Sequence, residues 1–471
     1  MSDFADPGPN SPTIQSVART GRRKLGSGWE AAKRVAFFAV LLLIMLVPLS
    51  MVEGVVAERA ATKAQVVEEI GAQWGPAQII SGPALVVPYE VSRVEVADNG
   101  ESKTTFETRY AVFTPDALRI AAKSDVEKRY KSIYEVLVYG ADLAISGKFA
   151  APDFATLGVT PTQIKWDAAS LVLGLSGVRA VNAVSLHAAD QDREIEAGVL
   201  PYHPFADGIR AALPLDAPSG GPRAFDFAFK LALNGRDMLA FQPLGRQSEI
   251  TVASDWPHPN FTGAPLPAKR EIGADGFAAS WSISHIATGS PLSWSTDEYK
   301  LQPERTTTVG VALVEPGDVH QQTDRIVKYG ILVIGLTFGT MFVVGTLKRD
   351  RVHLVQYLLI GASISLFYLL LLSLAEQMDF ALSYLVASLV DIAIVAWYAG
   401  ATIRRLMGWI TGAILALVHG YMYVLLQMES LSLLSGTIGL LMALVGVMIA
   451  TRNVDWFALG ETQGEPREDA A

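Results

Sequence analysis

Two ionisable side chains lie deep inside apolar stretches of the sequence, Asp391 and His419. A lone carboxylate in hydrocarbon costs several kcal/mol, so Asp391 must face a bundle interior, a wet cavity or a polar partner. Such a residue is a candidate for transport, but a protonated Asp391, or one bonded to Ser or Thr of a neighbouring helix, has a structural role. Because no second carboxylate lies nearby to form a relay, we favour the structural role. His419, beside Gly420, is interpreted as a hydrogen-bonded packing residue.

A second candidate is the segment in which His258 stands between two prolines. The prolines fix an extended backbone, which is suited to aiming an imidazole at a substrate. A Trp between a strand-like run and a turn more often packs as a structural corner, so we expect Trp256 to bury its ring. The candidate positions in and after this segment are Trp256, Pro257, His258, Pro259, Arg270 and Glu271.

Other kinds of chemistry leave no trace in the sequence. It has no G-x-S-x-G elbow, no Walker-type phosphate loop, no H-E-x-x-H pair and no dinucleotide fingerprint. The absence of cysteine excludes zinc-thiolate, iron–sulfur and cysteine-nucleophile chemistry. The net charge of −9 is spread along the chain, which argues against a nucleic-acid partner. We therefore expect a protein that is not an enzyme and that has no cofactor.

The apolar runs that contain these residues predict membrane helices. A hydrocarbon core about 30 Å thick needs about 18–20 apolar residues in a helix. The predicted transmembrane helices are residues 35–52, 330–347, 354–374, 380–399, 406–426 and 431–450. We therefore expect a polytopic α-helical membrane protein with six transmembrane helices, in which residues 329–450 form a five-helix bundle and residues 53–328 form a large domain between helices 1 and 2.

The distribution of Lys and Arg predicts the orientation. Basic residues flank the ends expected to be cytoplasmic, whereas the short loops 376–379 and 428–430 have none. The basic positions are Arg19, Arg22, Arg23, Lys24, Lys33, Arg34, Lys348, Arg349, Arg351, Arg404, Arg405 and Arg452. We expect residues 1–34 to be a disordered, basic cytoplasmic tail, residues 451–471 a second cytoplasmic tail, and residues 53–328 periplasmic.

The large domain begins with a helical pattern over residues 53–73, which extends the first membrane helix outward. Short runs rich in β-branched and aromatic residues then follow, bounded by turn residues. They cover residues 78–87, 104–113, 133–149, 164–181, 224–233, 249–253 and 277–286. They predict a β-rich, antiparallel, sandwich-like domain. The similarity of residues 141–149 to 228–236 leaves an internal duplication open.

Two G-x-x-x-G pairs mark close helix packing in the predicted bundle. They are Gly335 with Gly339 and Gly408 with Gly412. A dimer interface is one interpretation, but we favour contacts within the bundle.

The segment around the candidate His258 also carries a family resemblance. The sequence Asp255–Gly263, followed by Leu266–Ile272 and Gly276–Trp281, resembles the CreD family of bacterial inner-membrane proteins. Further similar stretches follow in the same order along residues 40–458. They are Glu58–Arg59, Gly75–Pro83, Thr323–Arg325, Lys328–Leu332, Gln356–Gly361, Phe367–Leu374 and Arg452–Trp456.

The resemblance implies a place in the inner membrane and a role in cell-envelope integrity or envelope stress, but no reaction. The chain departs from the family pattern at four polar positions, where it has Gly345, Leu354, Gln377 and Ser430. A functional set at those positions is therefore incomplete here. We expect a binding protein whose partners are membrane lipid and an unidentified envelope component or protein, and the alternative is a transporter or lipid-handling protein built around Asp391.

Overall fold

The computed structural model describes residues 18–96, 102–158, 160–200, 204–216, 221–296, 307–315, 319–348, 352–427 and 432–452. The chain forms two compact units. The β-rich unit is Thr62–Pro316, and the helical unit comprises the segments before and after it.

Eight α-helices lie within the described residues. They are α1 (Ala18–Trp74), α2 (His285–Thr288), α3 (Val319–Lys328), α4 (Gly330–Lys348), α5 (Leu354–Ala375), α6 (Phe380–Thr402), α7 (Arg405–Gln427) and α8 (Ser432–Thr451). Helix α1 begins at Ala18, so residues 18–34 are helical, although the sequence predicted a disordered tail to residue 34. The good helix formers Glu30, Ala31, Ala32, Lys33 and Arg34 continue the membrane helix toward the N-terminus, despite the glycines before them. Residues 1–17 lie outside the described residues.

Four helical segments of the described chain are long and apolar enough to cross a membrane. They are Ala36–Trp74, Leu354–Ala375, Phe380–Thr402 and Arg405–Gln427. A fifth crossing results if Gln322–Lys328 and Gly330–Gly345, which are bent by 41° at their junction, count as one span. Within α8, the apolar helical stretch Gly436–Gly446 is shorter than a membrane span. The predicted number of six spans remains a prediction.

The helical unit packs around one apolar cluster. Buried side chains of α1, among them Leu41, Met45 and Leu49, lie in this cluster with Phe338 of α4 and Tyr368 of α5. Many outward-facing Leu, Ile and Val side chains of α5 to α8 are exposed. An apolar interior with an equally apolar exterior is expected of helices whose solvent is lipid.

Helices α6 and α7 approach most closely at glycine. A Cβ atom on Gly408 would lie 2.4 Å from the carbonyl oxygen of Ala396 and 2.8 Å from Cα of Gly400. One on Gly412 would lie 2.9 Å from Cβ of Ala396. The interpretation as a bundle contact therefore holds for this pair. In the other pair, a Cβ atom added to Gly335 would make only an ordinary contact with Leu42, and one added to Gly339 would have no atom within 4 Å.

We predict that Gly408→Ala destabilises the helical unit, because the new methyl group meets backbone atoms that cannot move independently of α6. Gly420→Ala on the same helix is the matched control, since no atom lies within 4 Å of its added Cβ. Alanine has the higher helix propensity by about 1 kcal/mol, so the control should be neutral or stabilising. Thermal unfolding of the purified full-length protein in micelles measures both. Equal behaviour of the two variants would contradict the α6–α7 contact.

The β-rich unit contains two sheets. Its strands are β1 (Gln78–Val96), β2 (Ser102–Phe113), β3 (Ala117–Lys131), β4 (Tyr134–Phe149), β5 (Gln163–Ile164), β6 (Ser170–Leu175), β7 (Val181–Ala188), β8 (Gln191–Arg193), β9 (Ile195–Ala197), β10 (Gly208–Ala212), β11 (Phe225–Arg236), β12 (Met238–Gln242), β13 (Gln247–Ser254), β14 (Pro259–Gly263), β15 (Lys269–Gly273), β16 (Gly276–Ser284), β17 (Ser293–Ser295) and β18 (Val309–Leu313). The first sheet has the order β14-β18-β12-β1-β6-β10-β9, with β2 and β5 also on β1 and β17 on β2. The second has the order β15-β16-β13-β3-β4-β11-β7-β8.

The two sheets share one apolar core, as a sandwich requires. Strand β11 shows why. Phe225, Phe227 and Phe229 alternate with Asp226 and Lys230, so one face is apolar and buried while the other meets solvent. Burying each aromatic ring contributes about 1.5–3 kcal/mol.

The sandwich is mixed and not purely antiparallel as the sequence predicted. Strand β12 runs parallel to β1, and β13 runs parallel to β3. Strands β3 and β13 are each entered directly from the first sheet, at Thr114–Asp116 and just after β12, and they therefore run in the same direction. The two corners are bonded side by side, with the Arg246 amide donating to the Pro115 carbonyl at 2.9 Å.

Candidate functional site

The polar site in the helical unit is formed by three consecutive helices. Asp391 on α6 is 3% exposed and His419 on α7 is 4% exposed. Ser363 on α5 donates its hydroxyl hydrogen bond to Oδ1 of Asp391 at 2.9 Å. Oδ2 of Asp391 lies 3.6 Å from Nε2 of His419. The expected bond to a serine of a neighbouring helix is present, and His419 is an additional partner that the sequence had not predicted.

The hydrogen bonding of His419 determines which of its nitrogens carries a proton. Nδ1 lies 3.0 Å from the Leu415 carbonyl oxygen, which can only accept, so Nδ1 is the donor. A neutral imidazole then directs the lone pair of Nε2 at Oδ2 of Asp391. Two lone pairs at this distance repel unless a proton lies on one of the two atoms. The pair therefore holds one proton and is net neutral, as an apolar surrounding demands.

Aromatic side chains hold the imidazole of His419 in place. The ring of Phe367 packs edge-on against it with centroids 4.6 Å apart, and the Tyr384 hydroxyl donates to the His419 carbonyl at 2.7 Å. The buried Tyr368 hydroxyl has no hydrogen-bond partner among the described residues. The arrangement is a fixed polar group inside an apolar bundle, capable of binding and releasing one proton.

The pairing of Asp391 with His419 was missed from the sequence, although a signal for it exists. Helices α6 and α7 are joined by only Ile403 and Arg404, so they run antiparallel. Asp391 lies about 17 Å before the end of α6 and His419 about 21 Å after the start of α7, at 1.5 Å per residue. Residues at nearly equal heights on an antiparallel helix pair can meet.

In the β-rich unit, Trp256 forms a corner between β13 and β14, and Pro259 begins β14. The ring of Trp256 is only partly buried, less than we expected. Its Nε1 donates to the Val314 carbonyl at 3.0 Å, and the Val314 amide donates to the His258 carbonyl at 3.3 Å. The exposed His258 ring packs edge-on against Trp256 at 6.0 Å. Pro257 is partly buried between them.

Arg270 and Glu271 do not join this corner. Both are exposed on β15, the edge strand of the second sheet, where they pair with Ala279 and Ala278 of β16. The structure therefore separates them from the Trp256 segment, with which the sequence had grouped them.

Next to the Trp256 corner lies a cluster of charged side chains that the sequence did not predict. The hydrogen-bonded carboxyls of Glu135 and Glu315, which we term the carboxyl pair, lie between two lysines. Nζ of Lys128 contacts both carboxyls, and Nζ of Lys63 lies 3.8 Å from Glu315. The Tyr130 hydroxyl donates to Glu135 at 3.1 Å. Because 180 residues separate the two glutamates, only the strand topology brings them together, and no local pattern predicts it.

The pKa values of the two carboxyls are shifted in opposite directions. Burial, and then the charge of Glu135, raise the pKa of Glu315. Burial acts the same way on Glu135, but hydrogen bonds from Lys128, Glu315 and Tyr130 outweigh it and hold the pKa of Glu135 below its ordinary value. Of the carboxyl pair, Glu315 therefore has the higher pKa and is the first to bind a proton as the pH falls. Among the described residues, no group of three or more His, Asp or Glu side chains is placed to hold a metal ion.

We predict that Glu315→Gln removes a loss of stability at rising pH. A carboxyl with a raised folded-state pKa stabilises fully below its unfolded pKa, and this contribution is lost as the pH rises through the folded pKa. The amide imitates the protonated form and does not titrate. Pulse proteolysis of the full-length protein gives the urea midpoint of the β-rich unit. Midpoints measured at a series of pH values, from the ordinary glutamate pKa upward, report the difference in stability between variant and wild type. Glu107→Gln, at an exposed position of β2, is the control. A wild-type profile in Glu315→Gln would refute the raised pKa of Glu315.

A bundle of apolar helices that carries a β-sandwich as one insertion defines an integral membrane protein. The family model described as Inner membrane protein CreD matches residues 30–457. The Inner membrane protein CreD of Escherichia coli (strain K12) is 32% identical over 443 residues, which cover 90% of this chain and 93% of the relative. The chain belongs to the CreD family of inner membrane proteins, and the resemblance seen in the sequence is confirmed.

Proposed function

We propose that this CreD-family protein supports the integrity of the cell envelope through binding by its β-rich unit, without catalysing a reaction. The excess of Lys and Arg in the predicted cytoplasmic segments supports a multi-pass topology with both termini in the cytoplasm and residues 53–328 in the periplasm. In that topology, the β-rich unit faces the cell wall while the helical unit anchors it.

The observation that carries this proposal is a groove on the outer face of the second sheet. It has a volume of about 560 Å³ and crosses β3, β4, β11 and β7. Two rows of paired residues form it. They are Lys123, Asp142, Ala232 and Ala183 in one row, and Ala121, Ala144, Lys230 and Ser185 in the other.

The side chains of the groove suit a binding surface. Small alanines leave the backbone of four strands within reach, while Lys123, Asp142 and Lys230 supply charge within the two rows. Such a surface fits an extended polar partner, of which envelope glycans and peptides are examples. A mixture of small apolar contacts and a few polar groups is typical of ligand grooves.

A photo-crosslinking residue at Ala144 in living cells tests this proposal. Ala278, which is exposed on the same sheet face but lies on β16, two strands beyond the groove strand β3, is the control position. We expect Ala144 to capture an envelope component that Ala278 does not capture. Equal capture at both positions, or none at Ala144, would contradict binding at the groove.

A second function, proton-coupled transport, is favoured by one observation, the Asp391–His419 pair. An intramembrane group that binds a single proton is a common element of transporters. The pair lacks a second carboxylate, and Ser363 already satisfies one oxygen of Asp391. For these reasons, we place transport second.

The two functions differ in the effect of Asp391→Asn. The amide keeps the size of the side chain, accepts the Ser363 hydrogen bond and donates toward Nε2 of His419. Under the binding function, we expect this variant to preserve the envelope phenotype and the protein level. Ala144→Trp, which fills the groove, should abolish the phenotype. The reverse pattern, with loss in Asp391→Asn and none in Ala144→Trp, would establish transport in place of binding.

A further inference from the structure

A groove runs along the outside of the helical unit where α6 and α7 cross. Its volume is about 790 Å³. Ala396, Gly400, Gly408 and Gly412 form its floor at the close approach of the two helices. No side chain longer than a methyl group rises from this floor, so the groove is smooth and apolar along the two helices.

Two exposed tryptophans stand at the sides of the groove. Trp397 on α6 is 71% exposed and Trp409 on α7 is 80% exposed. Trp397 precedes the end of α6 at Thr402 by about 8 Å, and Trp409 follows the start of α7 by about 6 Å, at 1.5 Å per residue. Tryptophan at this depth lies in the interfacial layer between headgroups and acyl chains. The groove therefore begins at the membrane surface and continues into the apolar layer.

The mouth of the groove carries an unmatched positive charge. Arg405 lines it, is exposed, and forms no salt bridge with a described residue. The only acid in residues 380–427 is Asp391, which is buried. Arg405 also begins α7, where the free amides of the first turn attract an anion. The positive charge at this end of the groove suits an anion, and the apolar floor suits an acyl chain.

We propose that the groove binds one anionic phospholipid. Its phosphate contacts the guanidinium of Arg405 and the first-turn amides of α7, and one acyl chain lies on the floor between Trp397 and Trp409. A phospholipid is the membrane component that supplies an anion and a chain in this order from surface to interior. This site is independent of the envelope-binding groove of the β-rich unit and adds a specific lipid to the function of the protein.

Native mass spectrometry of the full-length protein in micelles tests the proposal, with phosphatidylglycerol and phosphatidylethanolamine as the probes. We expect one phosphatidylglycerol to remain bound in preference to phosphatidylethanolamine. Arg405→Gln should weaken its retention about fivefold, the effect of one interfacial cation. Arg404→Gln is the matched control, because Arg404 is also exposed and is adjacent but does not line the groove. Equal losses in both variants would show general charge attraction and overturn the site.

A second pair of variants tests the floor without changing charge. Ala401→Trp fills the groove, whereas Ala393→Trp adds the same side chain at an exposed position of α6 outside it. Only Ala401→Trp should lose the bound phosphatidylglycerol. Two results would overturn the proposal. One is displacement of the lipid by glycerol phosphate alone, which would show an anion site without a chain. The other is a dimer that Ala401→Trp dissociates, which would show that a second copy occupies the groove.

Discussion

The close approach of α6 and α7 at Gly400 and Gly408 is the contact on which the helical unit depends. Without a Cβ at Gly408, the α7 backbone rests on the Ala396 carbonyl, and the two antiparallel helices are fixed in height. On the interior side, this register brings His419 to Asp391. On the lipid side, the same small residues leave the groove beside Trp397. One packing contact therefore produces both the buried polar pair and the lipid-facing groove.

The polar pair follows from a second constraint, the cost of an unpaired charge in hydrocarbon. Asp391 meets it with a hydrogen bond from Ser363 and with His419, whose Nδ1 is committed to the Leu415 carbonyl. The hydrogen bonding of Asp391 is incomplete, because its Oδ2 lies 3.6 Å from Nε2 of His419, which is longer than a good hydrogen bond. Such a loose contact allows the shared proton to change place. The Asp391–His419 pair is therefore part of the bundle's packing, and it is also the feature that supports transport as the second proposed function.

Much of the architecture was predictable because its signals are local. Apolar length predicted the helices, and alternation predicted strands such as β4 and β11. Strand β3 was missed because its inward positions after Leu118 and Ile120 are Ala122 and Ser124, which lack the β-branched and aromatic side chains typical of strands. The parallel pairs and the carboxyl pair of Glu135 and Glu315 depend on contacts between distant segments, which no local pattern encodes. At the candidate site, the sequence identified Asp391 but not its partner, and it overestimated the burial of Trp256.

The most direct test of this account is the tautomer of His419. ¹⁵N spectra of histidine-labelled full-length protein, with the His419 signals assigned by comparison with His419→Gln, report which ring nitrogen carries the proton. The account predicts a protonated Nδ1, bonded to the Leu415 carbonyl, and an Nε2 shift that changes in Asp391→Asn. A proton on Nε2 with a bare Nδ1, or an Nε2 shift that Asp391→Asn leaves unaltered, would contradict the proton shared between α6 and α7.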